Sequence, residues 1–165
     1  MNYYSDENDW KWLFKNAINW KEIVPLFYPT FPTEEGFKSE EEVILFLEEL
    51  ITSTGEWCAG SVLARATRLD REGAGTVVAG KTIPGNALSE LYKEAKELEV
   101  VGLVLPKIFG GMQVPTSIQF FVLNQLARSC IASSTQIAFF TSIADMAHRY
   151  LDEETAMRIV PQIIN

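Results

Sequence analysis

The segment GTVVAGKT, Gly75 to Thr82, satisfies the phosphate-binding pattern G-x-x-x-x-G-K-T. The chemistry behind that pattern is definite: a glycine-rich loop turns backbone N–H groups onto phosphate oxygens while the lysine neutralises them. The surroundings argue against it. A phosphate loop is delivered by a buried strand and ends in a helix that starts at the Lys-Thr pair. Here Arg65 to Gly73 is charged and helical in character, and Pro84, Gly85 and Asn86 restart the chain just after Thr82. A connector is expected, with a short hairpin around Thr76 to Val78 and no nucleotide site. The same stretch opens with DREGAG at Asp70, which superficially resembles a calcium loop. Its third acidic ligand is missing and Lys81 stands where a bidentate Glu belongs, so calcium is excluded.

His148 is the only histidine, so it has no second imidazole with which to share a metal. It has no Ser or Cys nucleophile context either. Beside Arg149 near a helix C-terminus, it suits the negative end of the helix dipole. No catalytic residue, no cofactor-binding residue and no metal site is assigned. Cys58 and Cys130 match no metal spacing and are too few to staple a fold, which fits core thiols in a reducing, cytoplasmic compartment. A stripe of small residues is more informative. Ser134, Ala138 and Ser142 recur every four positions on one face, with Thr135 and Thr141 beside them. Small side chains in a row leave a groove. That groove can serve close packing of a neighbouring helix, or it can bed a fatty-acyl chain between mostly apolar walls.

The elements that must position these residues follow from hydrophobic period. Trp10, Phe14 and Ala17 share a helical face within an aromatic leader, residues 1–32, that also holds Trp12, Trp20, Phe27, Tyr28 and Phe31 and is expected to staple onto the body formed by residues 33–165. Ser39 and Glu42 form a capping box ahead of a long helix from Glu40 to about Leu69, where Val43, Phe46, Leu47, Leu50 and Ile51 recur at helical spacing and Gly55 and Gly60 are candidates to kink or split it. Asn86 is expected to cap the next helix, whose Leu88, Leu91, Tyr92, Ala95 and Leu98 share one face. Thr116 opens another after Pro115, apolar nearly all round through Phe120, Phe121, Leu123 and Leu126 and therefore expected at the centre. A helix from about Ser133 to Tyr150 and one capped by Asp152 complete an all-α bundle of about six helices with a Gly-rich connector, one structural domain overall.

Composition agrees with a single soluble domain. The 165 residues are 47% apolar, enough for one core. Acidic residues outnumber basic ones 22 to 14, a field that repels nucleic acid and anionic lipid. The uncharged run from Ile108 to Ala127 has bilayer length, yet Gly110, Gly111, Pro115 and four amide side chains would be unsatisfied in lipid, so no membrane span is expected. Near the N-terminus, Asp6, Glu7 and Asp9 argue against a signal peptide.

Three segments carry a family resemblance. GLVLPKIFGGM, Gly102 to Met112, places Gly-Leu, a Pro and Gly-Gly as the N-terminal helical domain of acyl-CoA dehydrogenases does, with Lys107 and Ile108 for the usual acidic pair, Phe109 for Tyr and Gln113 where a further Gly is common. LNQLARSCIASS from Leu123 is similar to that family's E-E-L-A-R segment and the helix after it. YLDEETAMRIVP from Tyr150 keeps Glu153, Glu154 and Pro161 at the family spacing, with Leu151 in place of a Gly. The leader, with Asp9 and Trp20, and the Asp70, Gly73, Pro84, Gly85 segment resemble a larger bacterial subgroup that includes methylmercaptopropionyl-CoA dehydrogenases.

The resemblance implies a helical domain forming one wall of an acyl-CoA site, with Ser134, Thr135, Ala138 and Ser142 on the acyl tunnel. It also implies FAD and a catalytic Glu held by a middle β-domain and a C-terminal helical domain, both absent from this chain. On that basis the chain is expected to be a fragment or truncated product of an FAD-dependent oxidoreductase of fatty acid metabolism, without bound cofactor and inactive alone. The faces left by the missing domains are expected to be apolar and prone to weak self-association. The alternative is a free-standing helical protein-interaction module derived from the same domain.

Overall fold

The computed structural model describes residues 1–164. Eight α-helices and one small hairpin are seen among them: α1 (Asn8–Asn16), α2 (Trp20–Phe27), α3 (Glu40–Trp57), α4 (Leu63–Glu72), β1 (Thr76–Val78), β2 (Lys81–Ile83), α5 (Asn86–Glu97), α6 (Thr116–Ser129), α7 (Ile131–Tyr150) and α8 (Glu153–Ile164). The mainly α expectation holds. Two helices more than expected appear because residues 20–27 wind into α2 despite Pro25, and because the long 40–69 stretch divides.

That division is a π-helical turn, Cys58–Val62, which leaves α3 and α4 continuous. The Leu63 N–H reaches back to the Cys58 carbonyl five residues earlier, and the Ser129 hydroxyl at the end of α6 donates to the same oxygen at 2.6 Å. A second donor at a carbonyl in a widened turn is how side chains from a neighbouring helix stabilise such a bulge. Ser39 caps α3 by accepting the Glu42 N–H at 3.4 Å, while the Glu42 carboxylate accepts the Lys38 N–H at 2.7 Å, one residue ahead of the reciprocal capping-box position.

The Gly75 to Thr82 pattern is the hairpin itself. Val78 pairs with Lys81 across a two-residue turn in which Ala79 and Gly80 both have positive φ, the twist that suits a tight hairpin. Lys81 and Thr82 lie in a strand, so no helix amides converge on a phosphate there. Asn86 is the first helical residue of α5 rather than its cap, which is Gly85. The capping acceptor comes from another helix: the Glu72 carboxylate takes the Ala87 N–H at 2.7 Å.

The core is assembled from Val43, Leu47 and Ile51 of α3, Leu91 and Ala95 of α5, Ile118, Val122 and Leu126 of α6, and Ile137 and Ala144 of α7. The leader is part of it. Tyr3, Tyr4, Phe14, Trp20 and Tyr28 are buried, and the Phe121 ring of α6 meets the edges of Tyr4, Trp10 and Phe14. Asn2 locks the entry by donating to the Thr52 carbonyl and accepting the Tyr4 and Ser5 N–H groups. Ala17 is exposed, so the face of α1 that docks is narrower than its spacing suggests. Helix α6 is central on one side only, because Phe120 points outward with 68% of its surface exposed.

Candidate functional site

The GLVLPKIFGGM segment folds on itself and fixes where α7 lies. Two 3-10 turns, Val100–Gly102 and Lys107–Phe109, bring residues 102–105 against 112–114. Met112 N–H donates to Gly102 O, Val114 N–H to Leu103 O and Gln113 N–H to Leu105 O, all within 3.1 Å. Gly110 has φ +86, and a Cβ on Gly111 would stand 2.1 Å from the Leu105 carbonyl oxygen, so this turn requires both glycines for structural reasons. Gln113 takes φ +56, the conformation for which a glycine would be the unstrained choice. Thr141 of α7 donates to the Val101 carbonyl at 3.0 Å, and the Phe109 ring meets His148 edge-on at 5.0 Å. The loop thus clamps α7 at two levels.

Helix α7 has 20 residues, a span of about 30 Å. Its inner side, with Ser133, Ile137, Thr141 and Ala144, is buried. Tyr92 of α5 supports that helix through an edge contact with Phe140 at 5.6 Å, and burial pushes its phenol above the ordinary range. The outer side carries Ile131, Thr135, Phe139, Ser142, Ile143, Met146 and Tyr150, all exposed. Phe139, Ile143, Met146 and Tyr150 follow a 4-3-4 helical spacing, a pattern legible in the sequence beside the small-residue stripe.

The four stripe residues part company. Ser134 is turned inward, 6% exposed, and donates to the Leu123 carbonyl of α6 at 2.8 Å. Ala138 and Ser142 line a groove of about 330 Å³ between α6 and α7, with Phe120 and Leu123 opposite. Thr135 lines a different cleft, of about 810 Å³, between α7 and α4, together with Phe139. The Thr135 hydroxyl donates to Ile131 O within its own helix, so the side chain offers its methyl outward.

Charge is nearly absent from this surface. In the α6–α7 groove the ionisable side chains are Asp145 and Arg149, and they pair with each other at 2.8 Å. The groove can hold an apolar chain and offers no free acid or base; in the α4–α7 cleft the Asp70 carboxylate is exposed, without an ion pair among the described residues. Among the described residues no cluster of His, Cys, Asp and Glu could hold a metal ion, and no helix is long and apolar enough to cross a membrane.

No curated protein matches the chain. The family model described as acyl-CoA dehydrogenase, N-terminal domain, matches residues 47–165, which takes in α7 and the loop that clamps it. The chain belongs to the acyl-CoA dehydrogenase family, whose N-terminal domain it matches over residues 47–165.

Proposed function

We propose that the outer side of α7 forms one wall of the acyl-CoA site in a flavin-dependent dehydrogenase that oxidises the α,β bond of an acyl-CoA thioester. Thr135, Ala138 and Ser142 bed the acyl chain, and Ser134 holds their helix against α6. The observation that carries this reading is a solvent-facing groove whose ionisable side chains, Asp145 and Arg149, pair with each other and whose small residues sit beside Phe120 and Leu123. A hydrocarbon lying against Val104, Phe120, Leu123 and Ala138 gains burial there.

These residues do not fit FAD. The hydroxyls of Ser134, Thr135 and Thr141 are already spent on carbonyls of the protein, so within the stripe the Ser142 hydroxyl is the donor left for a pyrophosphate or a flavin ring. We assign the flavin contacts and the catalytic base to the middle and C-terminal domains of the family, and turnover to the complete enzyme rather than to these residues. The same exposed side, with Phe139, Ile143, Met146 and Tyr150, suits docking of those domains and makes weak self-association expected. The Asp70, Gly73, Pro84, Gly85 connector favours the larger bacterial subgroup, and the two free cysteines suit the cytoplasm.

Two measurements test this. Titrating octanoyl-CoA into the isotopically labelled chain should shift amides of α7 around Thr135 to Ser142; no shift there would end the acyl-wall reading. With FAD, octanoyl-CoA and an artificial electron acceptor, the chain should not turn over; retained flavin with sustained acceptor reduction would contradict it.

A further inference from the structure

We infer that the cleft of about 810 Å³ between α4 and the first turns of α7 seats the far end of a broad acyl group, branched, cyclic or aromatic, whose thioester-proximal chain lies along α7. This rests on the acyl-wall reading and names the substrate class of that site.

The lining is chemically simpler than its residue types suggest. Leu69 and Leu88, both largely buried, form the floor, Ala66 and Ile131 the sides, and Phe139 one edge. Three hydroxyl residues also line it, and each has its proton committed to the protein: Ser129 to the Cys58 carbonyl at 2.6 Å, Ser133 to the Cys130 sulfur at 3.1 Å and Thr135 to the Ile131 carbonyl at 2.9 Å. What these residues turn to the cleft is methylene, methyl and ring surface; Asp70 and Gln136 also line it and are its polar side chains without a partner among the described residues. A ligand with its own donors or acceptors would find those two partners there, whereas an apolar group meets the rest of the wall at no polar cost.

Position and width choose among apolar ligands. Thr135 and Phe139 line the cleft three positions before Ala138 and Ser142 of the groove, neighbours on the helix surface, so a chain bedded on Ala138 and Ser142 and running toward the N-terminus of the helix reaches this opening. The cleft has more than twice the volume of the α6–α7 groove, 810 against 330 Å³, and lies within the roughly 300–1,000 Å³ typical of small-molecule sites. A linear chain would leave most of it unfilled and forfeit the contacts of its walls. A ring or a branched terminus fills it.

The probes are 4-phenylbutanoyl-CoA and hexanoyl-CoA, each titrated into the labelled chain. The aromatic thioester should shift the amides of Ala66, Leu69 and Leu88 as well as those of α7, and the linear one those of α7 alone. Ala66→Trp, checked for helix content by circular dichroism, should weaken the aromatic probe about tenfold and leave the linear one within about twofold. Shifts from the aromatic probe confined to Leu123, Ala138 and Ser142 would overturn the cleft while leaving the acyl wall standing. Silence of α7 toward both probes would overturn both. If Ala66→Trp does not fold, the two-probe comparison on the unaltered chain decides alone.

Discussion

The indole N–H of Trp57 donates to the Glu94 carboxylate at 2.7 Å, joining the end of α3 to α5 at the π turn. Ser61 donates to the same oxygen at 2.7 Å, and Arg65 closes the cluster from α4. The Arg65 guanidinium first, then the Trp57 and Ser61 donors, hold the Glu94 carboxyl down to about 2 from an ordinary value of 4.5. A depressed carboxylate stabilises the fold fully above its unfolded value, and the contribution is lost as pH falls through the folded one. Stability should therefore decline between about pH 4.5 and about 2, by on the order of 2 kcal/mol from this group. Urea titrations across that window should show the loss, and Glu94→Gln should flatten it; an unchanged slope in that variant would count against the cluster.

Gly111→Ala should be among the most damaging single changes. The added Cβ meets backbone, 2.1 Å from Leu105 O and 2.7 Å from Gly102 O, with no side chain that can swing away. A cost of about 3 kcal/mol is expected, which in a chain of this size lowers the melting temperature by on the order of 10 °C. Thermal melts check it, and a shift of only a degree or two would show that the loop can open without penalty.

Two residues further on, the sign reverses. Gln113 is exposed and sits at φ +56, so Gln113→Gly should relieve strain and raise stability by about 0.5 kcal/mol after the entropy of the unfolded glycine is counted. Gln113→Val should lower it by more than about 1 kcal/mol, since a β-branched residue tolerates that conformation least. Paired denaturant midpoints decide the order.

The two thiols should separate chemically. Burial pushes Cys58 up to about 12 and leaves it no exposed surface, whereas Cys130 is partly exposed. Iodoacetamide at pH 8 should stop at one label per folded chain, on Cys130, and reach two only in urea. Mass spectrometry reads the count; equal labelling of both thiols in native buffer would contradict the buried π turn.

Within the small-residue stripe, function and packing should come apart. Ala138→Trp should weaken octanoyl-CoA about tenfold by filling the α6–α7 groove. Ser134→Ala should instead cost about 1 kcal/mol of stability by removing the donor to Leu123 O, with affinity nearly unchanged. Loss of affinity in Ser134→Ala at unchanged stability would place that residue on the groove.

By itself the sequence determined most of the helical order, the hairpin and the family resemblance, while α2 and the division of the 40–69 stretch came only with the fold. Val43, Leu47 and Ile51, or Leu88, Leu91 and Ala95, repeat at a local period that any α-helix turns into a face, and the loop glycines mark where the backbone must approach itself. The surroundings of GTVVAGKT were enough to dismiss a phosphate loop. What the sequence left open was which face meets which neighbour. Ser134, Ala138 and Ser142 obey one spacing, yet Ser134 falls on the α6 contact and the other two on its open edge, because the stripe straddles the line where two helices meet. Tyr3 and Tyr4 carry no periodic signal, and they are buried because α6 offers Phe121 and Arg128, residues more than a hundred positions away. The cleft between α4 and α7 is likewise assembled from residues far apart in the chain. Helical period is a local property, written in neighbouring residues; the pairing of helices depends on long-range packing, and that packing alone decided where the grooves open.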